Sequence, residues 1–309
     1  AHQGGDFGTD SFFIHLSLRP FFCVAVNAFV LISGYFGIKL NSRKLWKMND
    51  MVTFYSVLGL ILMIIVGEHV FSLRKDILYL FPVIAKKYWF ITVYFALCLL
   101  SPALNFYVEK AEKRFLGKTI LTGLVLFVIV PTIGFLLNYE SIVPDAGYGI
   151  MSFCLLYLIG RYIRIYDPFQ NVSAGKSLLI YFVCSLTCGL FQIVYSLMLG
   201  FSFTSFYSYN TIFVFIAALA LFVFFTKLQM GNYRIINYIA SYSLCVYIIH
   251  IHPLVFRYLF NTLLHVDQYQ GLSYVAAIFL LPFPIYAGCV VVEFIRKVIT
   301  NRIYKMLQL

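Results

Sequence analysis

Nine stretches, near 20–40, 51–67, 88–107, 118–138, 148–166, 177–199, 209–226, 239–260 and 271–296, run almost without charge. Each approaches the roughly 20 apolar residues that a helix needs to cross the hydrocarbon core of a bilayer. With 62% hydrophobic and 11% charged residues, the 309-residue chain is too apolar for a soluble domain. The fold class that follows is all-α: an integral membrane protein, a polytopic helical bundle with nine spans. No connection exceeds about twenty residues or is rich in Gly, Ser or Pro, and no internal repeat is evident, so residues 1–309 read as a single transmembrane domain.

The segments between spans alternate sides, and their Lys and Arg divide unevenly. One set carries 17, including Arg43, Lys44, Lys47, Lys110, Arg164 and Arg296; the other carries 6, including Arg19, Lys86, Lys87 and Arg257. The positive-inside rule places the first set in the cytoplasm. The expected topology is a multi-pass cell-membrane protein with a cytoplasmic C-terminus and residue 1 outside. A chain that begins outside without a signal sequence needs an earlier span, so ten helices are expected for the complete domain, this chain lacking the first. The net charge of +11 is thus spent on orientation, and no nucleic-acid partner is read from it. All seven cysteines lie in apolar runs with no CxxC and no Cys-His metal spacing, which gives buried thiols and no metal site. The longest outer connection, Gly67 to Lys87, holds DILYLFPVIA, too short to span and suited to an interfacial or re-entrant segment.

Polar and small residues punctuate the apolar runs in four places. The first is Val26-Asn27, Phe29 and Leu31 to Tyr35, a helix with one amide and a Ser33-Gly34 step; the second is Tyr88-Trp89-Phe90 with Tyr94, then Leu99 to Asn105 (LLSPALN). The others are Leu155 to Ile163 (LLYLIGRYI) and Ser243 to Val255 (SLCVYIIHIHPLV). In order and wording these segments resemble the membrane acyltransferase 3 family, acyltransferases that O-acylate surface sugars. In that family a helix carries an Arg and, eleven positions later, a His at the reaction centre, followed after a couple of dozen residues by the VN-x-F-x-LISGY helix. His2 precedes Asn27 by 25 positions and takes that place; the matching Arg would precede residue 1. His15 is nearer Asn27 than the family spacing suggests.

The resemblance implies an O-acyltransferase moving an acyl group, acetyl foremost, from acetyl-CoA or another acyl-CoA to a hydroxyl of a cell-surface or lipid-linked glycan, with no bound cofactor. His2 would act as general base or carry the acyl group briefly, because a hydroxyl is a weak nucleophile at neutral pH. His250 and Asn27 would orient groups or donate to the developing oxyanion. Histidines at i,i+2 face different sides of a helix, so His250 and His252 would not share a metal. Trp89, Tyr94, Arg257 and Glu68 are the expected substrate contacts, Trp89 serving equally as an interfacial anchor. Arg257 is placed two turns beyond His250 on one helix face. Arg43, Lys44 and Lys47 are expected to meet the anionic donor on the inner side, or simply to set topology. A transporter or flippase-like carrier of lipid-linked sugars is the rival reading, since broken helices and intramembrane histidines serve that as well.

Overall fold

A computed structural model of the chain describes residues 8–137, 145–202, 204–228 and 231–306, and every regular element among them is helical. In chain order these are α1 (Asp10–Phe36), α2 (Ser42–Ile65), α3 (Leu73–Asp76), α4 (Trp89–Lys110), α5 (Lys113–Leu124), α6 (Val130–Leu137), α7 (Ile150–Tyr166), α8 (Ala174–Leu199), α9 (Ile212–Lys227), α10 (Arg234–Ala240), α11 (Ser243–His250), α12 (Val255–Arg257), α13 (Gly271–Leu280) and α14 (Pro282–Met306). Among the described residues, seven helices are long and apolar enough to cross a membrane, or eight if the pair Arg234–His250 and Val255–Leu263, bent by 92°, counts as one. The remaining expected span, 148–166, is α7. At 17 residues it is about 25 Å long, short of the ~30 Å core, and half of it is buried against protein.

The chain divides into two compact units, one of Ser42–Thr92 and Met230–Leu309, the other of His2–Asn41 and Val93–Gln229. In the second unit α1 is the central element, packed against α7, α8 and α9. It starts ten residues earlier than the apolar run suggests, because Thr9 caps it by accepting the Phe12 N–H and Asp10 complements the positive end of the helix. Pro20 lies inside it and offers no N–H to the Leu16 carbonyl, a loss that would normally break the helix. The Tyr207 hydroxyl donates to that carbonyl instead, at 2.9 Å. Pro102 in α4 is handled the same way, with the Ser101 hydroxyl donating to Cys98 O at 2.7 Å. Pro131 follows directly on a π turn, Val125–Ile129, where the α ladder is already interrupted.

The crossing of α1 and α7 is made by two glycines. A Cβ at Gly34 would collide with the Tyr157 carbonyl, and one at Gly160 would meet the Leu31 carbonyl and lie 2.7 Å from the Tyr35 nitrogen. Small residues that let backbones touch are how helices gain dispersion contact where lipid supplies no hydrophobic drive. Nearer the start of α1, Val24 packs on Ala217 and Ala218, and Phe12 and Leu16 pack with Cys188, Phe206 and Val214.

In the other unit α11 packs against α2 and α14. The buried Glu293 of α14 accepts from the Tyr55 hydroxyl of α2 and from Arg296, whose Nε and Nη2 lie 2.6 and 2.8 Å from its two oxygens. A buried carboxylate is tolerated here because it is paired and hydrogen-bonded. The connection from α2 to α4 forms α3 and a 3-10 turn, Ile77–Leu80, and turns Val70 and Ile84 outward, each 87% exposed, as an interfacial piece would.

The glycine crossing gives a direct test. Gly34→Ala or Gly160→Ala forces the two backbones apart, and overpacking of this kind costs about 2 kcal/mol or more. Thermal unfolding of the purified protein in detergent is expected to fall for both, whereas Gly175→Ala, whose Cβ meets nothing within 4 Å, leaves it unchanged.

Candidate active site

In the α1-centred unit, three of the punctuated segments meet in one closed set of hydrogen bonds. Beyond the end of α1, the Ile38 N–H donates to the Tyr157 hydroxyl at 2.9 Å. That hydroxyl donates to Asn105 Oδ1 at 2.7 Å, and Asn105 Nδ2 donates back to the Ile38 carbonyl at 2.9 Å. Ser33, beside Gly34, pairs with the Tyr94 hydroxyl at 3.3 Å, and Phe29 meets the Tyr94 ring edge-on at 5.3 Å. Tyr94 thus finds the hydrogen-bond partner that a phenol in an apolar setting requires. Asn27, fully buried, donates to the Tyr209 carbonyl at 2.7 Å and holds the 205–211 segment on α1.

In the other unit the two histidines near Pro253 differ sharply. His252 is 1% exposed and uses both ring nitrogens: Nε2–H donates to the Ser56 carbonyl at 2.9 Å, while Nδ1 accepts from the N–H groups of Leu254 at 3.2 Å and Val255 at 3.3 Å. This is N-cap geometry, with proline at the first position after the cap. The ring lies against Gly59, where a Cβ would sit 2.6 Å from it, stacks on Tyr79 at 5.5 Å, and meets the edge of Tyr88. Lys87 lies over the Tyr79 ring, its Nζ 3.9 Å from the ring centre. His250 ends α11 half-buried, with Nδ1 bonded to its own helix at the Val246 carbonyl, 2.6 Å away. That tautomer leaves Nε2 as the nitrogen with a lone pair, the form a proton acceptor needs.

The chain bends by 92° after His250, so Arg257 does not continue the face of that helix. The expected alignment of the two is corrected: Pro253 disfavours helix in the residue before it, and the His252 cap starts a new one. Arg257 is exposed, as is Glu68 after the end of α2. Trp89 is half-buried at the start of α4, its ring edge-on to Phe90 at 5.9 Å. Arg43, Lys44 and Lys47 are exposed in the first turns of α2, at spacings that put them on one side. Glu68 follows the opposite end of that helix, which ends at Ile65. His2 lies outside the described residues.

Asp76 escaped the sequence reading. It is 3% exposed, accepts the Ser72 N–H at 2.7 Å, and takes His69 Nε2 at 3.0 Å on each oxygen. Burial pushes its carboxyl up, but the Ser72 N–H and His69 outweigh that and hold it below its ordinary 3.8. Burial also pulls Lys87 below its ordinary value, with the Asp76 charge opposing. A carboxylate seven residues after a histidine in a short connection was the available signal. Among the described residues no three His, Cys, Asp or Glu side chains gather closely enough to share a metal ion.

A family model described as an acyltransferase domain matches residues 1–293 of the chain. Searches of curated proteins and of solved structures returned no match.

Two outcomes are expected here. His252→Ala leaves two backbone donors without their acceptor and is expected to destabilise by roughly 2 kcal/mol or more. His252→Asn restores a cap but not the bond to α2, and its unfolding temperature should fall between. Asp76, whose carboxyl is held low in the folded state, contributes stability above about pH 4 that is lost as pH falls through the folded value. Melting curves should therefore show Asp76→Asn less stable by roughly 1.5–3 kcal/mol at pH 6, with the gap closing toward pH 2.

Proposed function

Because this chain belongs to the acyltransferase 3 family, we propose that it is a membrane O-acyltransferase that moves an acyl group, acetyl foremost, from acyl-CoA to a hydroxyl of a cell-surface or lipid-linked glycan. What carries the reading is the extent of the family match, residues 1–293, which takes in the four punctuated segments. The C-terminus is taken to be cytoplasmic and residue 1 to lie outside, from the 17-to-6 division of basic residues.

On this reading His2 removes the proton of the acceptor hydroxyl as its oxygen attacks the thioester carbonyl. The tetrahedral oxyanion then collapses, expelling the CoA thiolate, which takes the proton back. In the relay variant His2 carries the acyl group first. His250, whose Nδ1 is committed to the Val246 carbonyl, is assigned to orient a reacting group through Nε2, and Asn27 is assigned to act through the Tyr209 segment it holds. Trp89 and Tyr94 offer aromatic surface to the sugar, and Glu68 and Arg257 offer polar contacts outside the bilayer. Arg43, Lys44 and Lys47 attract the CoA phosphates on the inner side.

The test is transfer of radiolabelled acetyl from acetyl-CoA into glycan by membranes carrying the protein. His2→Ala is expected to abolish incorporation without affecting insertion, since a general base supplies ~10²–10⁴-fold. His250→Ala should cost ~10²-fold, and His15→Ala should be close to silent. Full incorporation with Ala at position 2 would overturn the mechanism.

A further inference from the structure

Two guanidinium groups of α7 lie against the last residues of α1, within a single compact unit. Arg161 packs on Gly37, the residue that ends the helix: a Cβ built there would lie 2.9 Å from Arg161 Nη1, and the positive φ of 74° reserves the position for glycine. Arg164, three residues on, lies over the Tyr35 ring with its Cζ 5.1 Å from the centre, and its Nη1 donates to the Tyr35 hydroxyl at 3.2 Å. That ring is braced edge-on by Phe222 at 5.5 Å. Tyr35 and Gly37, two residues apart at the end of α1, thus carry one arginine each.

Neither charge is balanced within the protein. Among the described residues no ion pair includes Arg161 or Arg164, and the acid next along the chain, Asp167, faces Lys227 at 3.7 Å. Arg161 Nε is buried without a hydrogen-bond partner. The end of α1 offers partial negative charge and Tyr35 a ring face, and both attract a guanidinium without neutralising it. Buried donors are rarely left bare, and guanidinium forks match the oxygens of a phosphate in pairs.

The place of these residues in the chain indicates what brings the phosphate. Both arginines belong to the basic set taken as cytoplasmic, the side from which acyl-CoA arrives. From Gly37, α1 leads back past Ser33, with its partner Tyr94, to Asn27, about 15 Å away by helix rise. The extended pantetheine arm of CoA covers such a span.

We infer that Arg161 and Arg164 hold the phosphates of the acyl-CoA donor, with Tyr35 and Gly37 fixing where each guanidinium sits. The exposed Arg43, Lys44 and Lys47 draw the donor in, and the α7 pair binds it. This site rests on the acyl-CoA reading and deepens it.

The experiment measures binding of radiolabelled CoA to the full chain purified in dodecyl maltoside, alongside the KM for acetyl-CoA in membranes. ADP, which carries a diphosphate, is expected to compete, and pantetheine, which carries no phosphate, is not. Arg161→Gln and Arg164→Gln should each weaken CoA binding roughly tenfold or more, the loss of a charge-assisted hydrogen bond. They should also raise the KM more than they lower kcat. Lys176→Gln removes an exposed charge from the same unit and should leave binding unchanged. Because Arg164 is exposed, Arg164→Gln keeps the site testable should Arg161→Gln fail to fold. Wild-type acetyl transfer with the KM unmoved in both variants would overturn the site and leave the acyltransferase reading standing. CoA binding that both variants lose, in a protein that transfers no acetyl, would support the site and count against the reaction. No CoA binding by the wild type, equal weakening by Lys176→Gln, or competition by phosphatidylglycerol where ADP has no effect, would overturn the donor site.

Discussion

Every backbone N–H and C=O inside an apolar surround must find a partner within the protein, and the helices here depend on how that demand is met at their prolines. Leu16 O and Cys98 O each lose a partner to a proline four residues on, and each is taken by a hydroxyl, from Tyr207 and Ser101. Helices α1 and α4 continue as a result. Pro253 has the opposite outcome, because the side chain before it caps a new turn and the chain bends by 92°. One residue type thus gives two uninterrupted helices and one corner, and the neighbouring hydroxyl or imidazole decides which.

Close backbone approach is the second determinant. Gly34 and Gly160 bring α1 and α7 into contact, and that proximity places Ile38, Asn105 and Tyr157 where three hydrogen bonds close on one another. Polar groups that answer one another in a partly buried setting favour one arrangement over its alternatives. The segments that resemble the acyltransferase family are therefore, in large part, the residues that hold α1, α4 and α7 in register within their unit.

In the other unit the layered contact of Lys87, Tyr79, His252 and Gly59 fixes the corner after α11. His252 has both nitrogens committed to backbone, whereas His250, two residues away, keeps Nε2 available. Two imidazoles two positions apart are thus held differently, one by backbone groups on both nitrogens and one by its own helix through Nδ1.

The helical class, the multi-pass character and the family were all legible in the chain, because apolar run length and the wording of four short segments are local properties. Why Pro20 lies harmlessly inside α1 and why the run 239–260 is not straight were not legible. Each depends on a partner far away in sequence: Tyr207 for Leu16, and Ser56 for His252. Asp76 reads as an ordinary loop acid until folding buries it against Ser72 and His69. Arg19 reads as one more basic residue in a charge count until folding seats it on Tyr207. Composition and periodicity report which surfaces leave water, but the partner of each buried polar group is chosen by packing, and only the tertiary structure decides it.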